Sequence, residues 1–179
     1  MSLYLTRMPL LAGANPFVTL YEDDQPTAYA SVWRVDWSTH GSGNVVILWT
    51  PGQLRIVGDD VRLAEWIEEQ FVRNFPEARA LPSWPTAKVE RASVSVRWSS
   101  ARAGDITISL DGVLDARPFA VDDFPLRGVS HGLSMQILPC SKATVSVGGV
   151  AVPGSPQVSW DGGRPASSAV VTVHEAWSV

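Results

Sequence analysis

A mainly β fold is predicted: a single antiparallel β-barrel or strongly curved sheet carrying one amphipathic helix. Three observations lead there. Short runs with apolar residues on one parity recur along the chain, roughly nine or ten in all, bounded by Gly, Pro, Asn and Asp. Only one stretch shows helical periodicity instead. With 179 residues, 45% of them hydrophobic, there is material for one sizeable core, since a domain of this size buries roughly 70% of the surface its unfolded chain exposes. No linker-like break, internal repeat or low-complexity segment interrupts the sequence. Residues 1–179 are therefore read as one barrel-like domain, with the helix, about 59–75, inserted between strands.

Residues 1–15 carry little periodicity and end in Gly13-Ala14-Asn15-Pro16, so they are read as an arm or a first edge strand. Residues 17–22 form a short strand, and Asp23-Asp24-Gln25-Pro26 turns the chain into a longer one over 27–37. In that strand Tyr29, Ser31, Trp33, Val35 and Trp37 share one face, and Ala28, Ala30, Val32, Arg34 and Asp36 share the other. Residues 44–50 contain the unbroken run Val45-Val46-Ile47-Leu48-Trp49, the pattern of a strand buried on both faces. The helix begins after Gly58, with Asp59 or Asp60 as N-cap, and stops before Pro76. Leu63, Ala64, Ile67, Phe71 and Phe75 make its apolar stripe; Glu65, Glu68 and Glu69 are read as a solvated face.

A proline-rich connector over 76–85 leads back to strands. Residues 88–99 alternate, with Ala92, Val94, Val96 and Trp98 on one side, and 105–114 alternate again before a turn or bulge at Asp111-Gly112. Residues 118–128 read as irregular. Strands are expected at 133–138, 143–152 and 166–177, with a shorter one at 157–160, and Gly148-Gly149 suggests a tight hairpin turn.

Composition excludes several function classes. The net charge is −4, and 12 Arg and two Lys are scattered among 18 acids, so no basic run marks a nucleic-acid partner. No stretch approaches the ~20 apolar residues of a membrane-spanning helix, and no integral membrane segment is expected. Met8 to Ala14 superficially evokes a signal peptide, but Pro9 and the shortness of the apolar part argue against one, and a cytoplasmic location is expected. A lone cysteine, Cys140, rules out an intrachain disulfide and a Cys-rich zinc site. Neither a metal nor a cofactor is expected, because phosphate-loop, dinucleotide-binding, nucleophile-elbow and His-Glu-x-x-His signatures are all missing.

Eight tryptophans are the most informative residues. Indoles are large, apolar and tipped with one N–H donor, which suits them either to a core or to the wall of a ligand cavity. Trp49, Trp98 and Trp177 are read as core. Trp33 and Trp37, on one face with Tyr29, fit either role, and Tyr29, Trp33 and Trp37 with Arg34 form the candidate ligand-binding set. Charges at strand positions are the second clue: Arg34 and Asp36 alternate with Val32, and Glu175 is expected to share a face with Val171, Val173 and Trp177. Facing inward, such charges must be paired or bind something polar; facing outward they are ordinary surface. His131, between Ser130 and Gly132, is the candidate acid/base residue, since histidine is the side chain type suited to proton transfer near neutral pH.

Residues 133–154, LSMQILPCSKATVSVGGVAVPG, resemble a segment of the lipocalin-like hydroxyneurosporene synthase and kievitone hydratase group, in which a strand ending near Pro is followed by a short strand, a Gly turn and a return strand. The resemblance implies a calycin-type barrel. Where that group carries an aromatic–Asp–His cluster, this chain has Val158-Ser159-Trp160-Asp161-Gly162, so the implication concerns fold rather than reaction. The expected function is binding of a small, largely apolar molecule in a cavity walled by aromatic residues. Two alternatives stay open: an enzyme of hydratase, isomerase or cyclase type using His131 with Asp36 or Glu175, and a protein-interaction module. Oligomeric state, including a homo-oligomer, is open as well.

Overall fold

The computed structural model describes residues 6–179. It is mainly β. The chain opens with β1 (Pro9–Ala14), β2 (Phe17–Glu22), β3 (Gln25–Ser38), β4 (Gly43–Thr50) and β5 (Gln53–Gly58). Then come α1 (Val61–Gln70), a 3₁₀ turn (Val72–Asn74) and the single-turn α2 (Pro76–Arg79). Strands resume with β6 (Val89–Arg91), β7 (Val94–Val96), β8 (Ser100–Ala103), β9 (Ile106–Val113), β10 (Arg117–Leu126) and β11 (Val129–Val147). The chain ends with β12 (Val150–Ala151), β13 (Val158–Asp161), β14 (Arg164–Ser167) and β15 (Ala169–Ser178).

One large sheet runs in the order β6-β5-β4-β3-β1-β15-β11-β9-β8-β7. β2 continues β1 beyond Asn15-Pro16 and fills the same slot between β3 and β15. Every pairing is antiparallel except β5 with β6. β11 spans 19 residues and turns the sheet over: its first part pairs β10 and β15, its last part pairs β9. The two ends of the order, β6 and β7, are consecutive in the chain, separated only by Ala92 and Ser93. The sheet therefore rolls until one segment touches both of its edges, without strand pairing between β6 and β7. Asn44 Nδ2 on β4 donates to Val94 O on β7 at 3.2 Å across that seam. Arg55, opposite Leu48 on the inner side of the sheet, bridges it as well, bonding Glu90 at 2.7 Å and Asp105 at 2.8 Å.

Rolling gives the sheet two apolar faces with different contents. The inner face is small and aliphatic: Val18, Ala28, Ala30, Val46 and Val57 meet Ala101, Ala103, Ile106, Ile108 and Val145. The outer face is aromatic and covered by α1 and the turns after it: Tyr29, Trp33 and Trp49 pack with Phe71, Phe75 and Trp177. Strand alternation supplies both sets at once, since Val45, Ile47 and Trp49 go out while Val46 and Leu48 go in. Small residues inside let the opposed strands approach closely and leave the large rings to the face where a helix can cover them.

Several expected elements take a different form. β1 is an interior strand between β3 and β15, not an arm or edge. β5 is not among the expected strands, because Gln53-Leu54-Arg55-Ile56-Val57 is short and wedged between the Pro51-Gly52 turn and the helix-start signals Gly58-Asp59-Asp60. The expected strand over 88–99 is two strands on different sheet edges, and Trp98 lies beyond them, half exposed rather than in the core. Residues 118–128 are not irregular but form β10, an edge strand that tolerates Pro118 and Pro125 because its outer side needs no ladder bonds. The runs 133–138 and 143–152 are mostly one strand, β11, followed by the expected Gly148-Gly149 turn into β12. On α1, Asp60 is the N-cap, its side chain accepting from Leu63 N at 2.9 Å. Glu68 is buried rather than solvated, held by Arg73 at 2.6 Å and by Trp84 Nε1 at 2.8 Å.

Candidate functional site

The outer face of the sheet holds a cavity of about 220 Å³ between β15, β11, β10 and α2. Its floor comes from Tyr29 on β3, Leu133 on β11, and Val170, Thr172, Glu175 and Trp177 on β15. Phe75 and Glu77 wall it from the side of α2. Half-buried Phe17, Phe119, Phe124, Met135 and Ile137 form the rim.

Glu175 reaches this cavity through a bulge. His174 stands in the left-handed region at φ 53°, a conformation that costs an L-residue about 1–2 kcal/mol. Opposite it, Ser134 pairs with Ala176 and Gln136 with Val173, so β15 carries one residue more than β11 across this interval. Alternation is reset there. Val171 belongs to the inner core, Thr172 faces the cavity, and beyond the bulge Glu175 and Trp177 face the cavity again. The expected common face for Val171, Val173, Glu175 and Trp177 is thereby corrected: an ordinary strand cannot present Thr172 and Glu175 together, and a bulged one does.

A second irregularity supplies the partners of this carboxyl group. Pro16 has no N–H to continue a ladder, and Asn15 before it marks the break between β1 and β2. Asn15 backbone N–H donates to Thr172 Oγ1 at 2.7 Å, while its Nδ2 donates to Ser31 Oγ at 3.0 Å and Val32 O at 2.8 Å. Thr172 Oγ1 lies 2.9 Å from Glu175 Oε2, and Trp177 Nε1 donates to Glu175 Oε1 at 2.7 Å. Trp33 Nε1 donates to Ser31 Oγ at 2.9 Å. The result is a buried polar line from Trp33 through Ser31, Asn15 and Thr172 to Glu175, set in an aromatic surround. One role of the line is structural, since it satisfies backbone groups left unpaired at the Asn15-Pro16 break.

Electrostatics distinguish this carboxyl group from the others. Burial pushes Glu175 up to about 7, against the opposing pull of the Trp177 and Thr172 hydrogen bonds. Burial also raises Glu77 on the opposite wall, and burial together with the Glu77 carboxylate raises the Tyr29 phenol. Near neutral pH Glu175 thus exchanges readily between acid and carboxylate, the property expected of a group that donates or accepts a proton at a functional site.

The sequence-predicted site residues are dispersed. Tyr29 lines the cavity. Trp33 lies behind it, fully buried against Phe71 and Phe75 with ring centroids 5.4 and 6.1 Å away. Trp37 is 49% exposed and lines a separate groove beyond Leu133 and Trp177. Arg34 and Asp36 bond each other at 3.1 Å on the surface, because the face they share with Val32 has left the roll by that point in β3. His131 lies in β11, not in a loop, and meets Trp177 edge-on with centroids 6.2 Å apart. It borders a surface groove shared with Trp66 and Leu126 and, like Asp36, does not line the Glu175 cavity. Among the described residues no group of three or more His, Cys, Asp or Glu has the geometry of a metal site.

A larger groove, about 570 Å³, runs between α1 and residues 84–89. Its buried carboxylate, Glu68, is already bonded to Arg73 and Trp84, and its other polar lining, Glu65, Glu69, Thr86 and Lys88, is exposed to water, whereas Glu175 is a buried carboxyl group facing its cavity.

No family model, curated protein or solved structure matches this chain. The site therefore rests on its own geometry. Reading the sequence alone missed Asn15, Phe75, Glu77, Phe119, Phe124 and Thr172. A signal existed only for Asn15, whose position before Pro16 marks a break needing side-chain hydrogen bonds.

Proposed function

We propose that the protein binds a small, largely apolar molecule in the cavity above Glu175, with this carboxyl group as its polar anchor. The supporting observation is a buried carboxyl group turned into an aromatic cavity by a left-handed residue, at 3% exposure, with Thr172 on one oxygen, Trp177 on the other and the Asn15 backbone N–H acting on it as well. An ionised carboxylate has about four acceptor positions, so capacity for a guest remains. Size limits the guest: an apolar cavity of about 150 Å³ holds benzene, so 220 Å³ takes a single substituted ring or a short branched chain. A calycin-type barrel would hold its guest inside the roll. Here the inner face is filled by small and aliphatic side chains, and the reading places the guest on the outer face instead.

A proton-transfer enzyme is the second reading, favoured by the near-neutral titration of Glu175 and carried by Glu175 and Glu77 rather than by His131 and Asp36. Binding comes first in either case. Thermal denaturation with increasing toluene or indole tests it, because a ligand that binds only the folded state raises Tm by mass action. The expected result is a saturable rise that Met135→Phe, which fills the rim, reduces strongly. No rise, or an equal rise in the filled variant, overturns the reading.

A further inference from the structure

The walls of the cavity carry information about charge. Among the described residues no Lys, Arg or His lines it, while two carboxyl groups do, Glu175 from β15 and Glu77 from α2. Around them stand the rings of Phe17, Tyr29, Phe75, Phe119, Phe124 and Trp177. Ring faces are electron-rich and attract a cation. A carboxylate guest would meet like charge without any cation to neutralise it, at a site where water is largely displaced. A neutral hydrocarbon would leave the spare lone pairs of Glu175 unsatisfied.

We propose that the ligand is a small hydrophobic amine, bound as the ammonium ion with its N–H groups on Glu175 and its hydrocarbon part against the aromatic rim. This rests on the binding reading above and adds the charge of the guest. Three features of the site fit that guest together: a carboxyl group with acceptor capacity that Thr172 and Trp177 already orient, aromatic rings on several sides, and volume for one ring with a short arm. The ammonium also supplies what the empty cavity lacks, a positive charge beside Glu175 that favours its ionised form. Binding below neutral pH should therefore displace the Glu175 proton to solvent: the carboxylic O–H breaks, the carboxylate remains paired with the ammonium, and a buffer base takes up the proton.

The test is isothermal titration of the full chain with four probes of one shape: benzylamine, benzyl alcohol, toluene and benzoate. At pH 6, in two buffers of different ionisation enthalpy, benzylamine is expected to bind about tenfold tighter than benzyl alcohol or toluene and to release roughly one proton. Glu175→Gln is expected to bind the amine no tighter than the alcohol and to release no proton, and Glu77→Gln to lose part of the preference. A cooperative urea transition with the parent's m-value shows that the Glu175→Gln chain folds. Equal affinity for amine, alcohol and toluene without proton release, or preference for benzoate, overturns the amine assignment and leaves the cavity reading standing. Failure of all four probes overturns both.

Discussion

Thr172 and Glu175 lie three residues apart on one strand, yet Oγ1 of the first is 2.9 Å from Oε2 of the second. Odd spacing in a regular strand puts side chains on opposite faces; the left-handed His174 between them absorbs one residue and brings both to the cavity. Glycine adopts that conformation without the Cβ clash. His174→Gly is therefore expected to raise unfolding free energy by about 1 kcal/mol, and His174→Val, β-branched, to lower it by at least about 1 kcal/mol. Urea titrations of the two variants check the order.

Stability should depend on pH through Glu175. Its folded value, about 7, lies above the ordinary 4.5, so between these values the folded chain holds a proton that the unfolded chain releases. Stability contributed by the protonated form is complete below about 4.5 and is lost as pH rises through 7, a fall of about 3 kcal/mol. Glu77, raised as well, slopes in the same direction. Glu175→Gln keeps an acceptor for Trp177 and carries no ionisable group, so it should flatten most of this slope. Denaturation midpoints from pH 4 to 8 give the comparison. An unchanged slope in the variant would assign the titration to other groups.

Gly13 should be intolerant of any side chain. A Cβ there would collide with the backbone carbonyl of Arg34 on β3, and backbone cannot move aside as a flexible side chain can. β1 also shifts register between Ala12 and Gly13 against the same strand. Gly13→Ala is expected to cost about 3 kcal/mol, read as a fall in the urea midpoint with m unchanged.

Glu68 anchors the helix to the connector after it. Its carboxylate accepts from Arg73 and from the Trp84 indole. In Glu68→Ala the guanidinium, 48% exposed, returns to water, while the half-buried Trp84 N–H loses its partner. The expected cost is about 2 kcal/mol. Arg73→Ala, which leaves the buried Glu68 carboxylate with the Trp84 bond alone, should cost at least as much by the same denaturation assay.

The fold was legible where one physical signal dominated. Alternation in 27–37 and the apolar run at 45–49 identify β3 and β4, including burial of β4 on both faces. Asp60 and the apolar spacing of Leu63, Ala64 and Ile67 identify α1. Legibility failed where the chain departs from regular periods. β10 is interrupted between Val121 and Phe124 and carries two prolines, so it reads as loop. The bulge at His174 reverses parity, so counting by twos from Val171 puts Glu175 on the wrong set of neighbours. The site inherits that difficulty, being built at the Asn15-Pro16 break, the His174 bulge and the single turn of α2, three irregularities without periodicity. Of the residues singled out from the sequence, Tyr29 and Glu175 line the cavity, Tyr29 because it sits in the regular part of β3 and Glu175 because the bulge turns it there.

Methyl chemical shifts of the two apolar faces, followed while toluene is added, test the central claim most directly. The account predicts saturable shifts at Leu133, Met135, Ile137 and Val170, which line the cavity, and none at Val46, Ile108 or Val145 in the inner core. Saturable shifts confined to the inner core, or no saturable shift at any of these methyls, would contradict it.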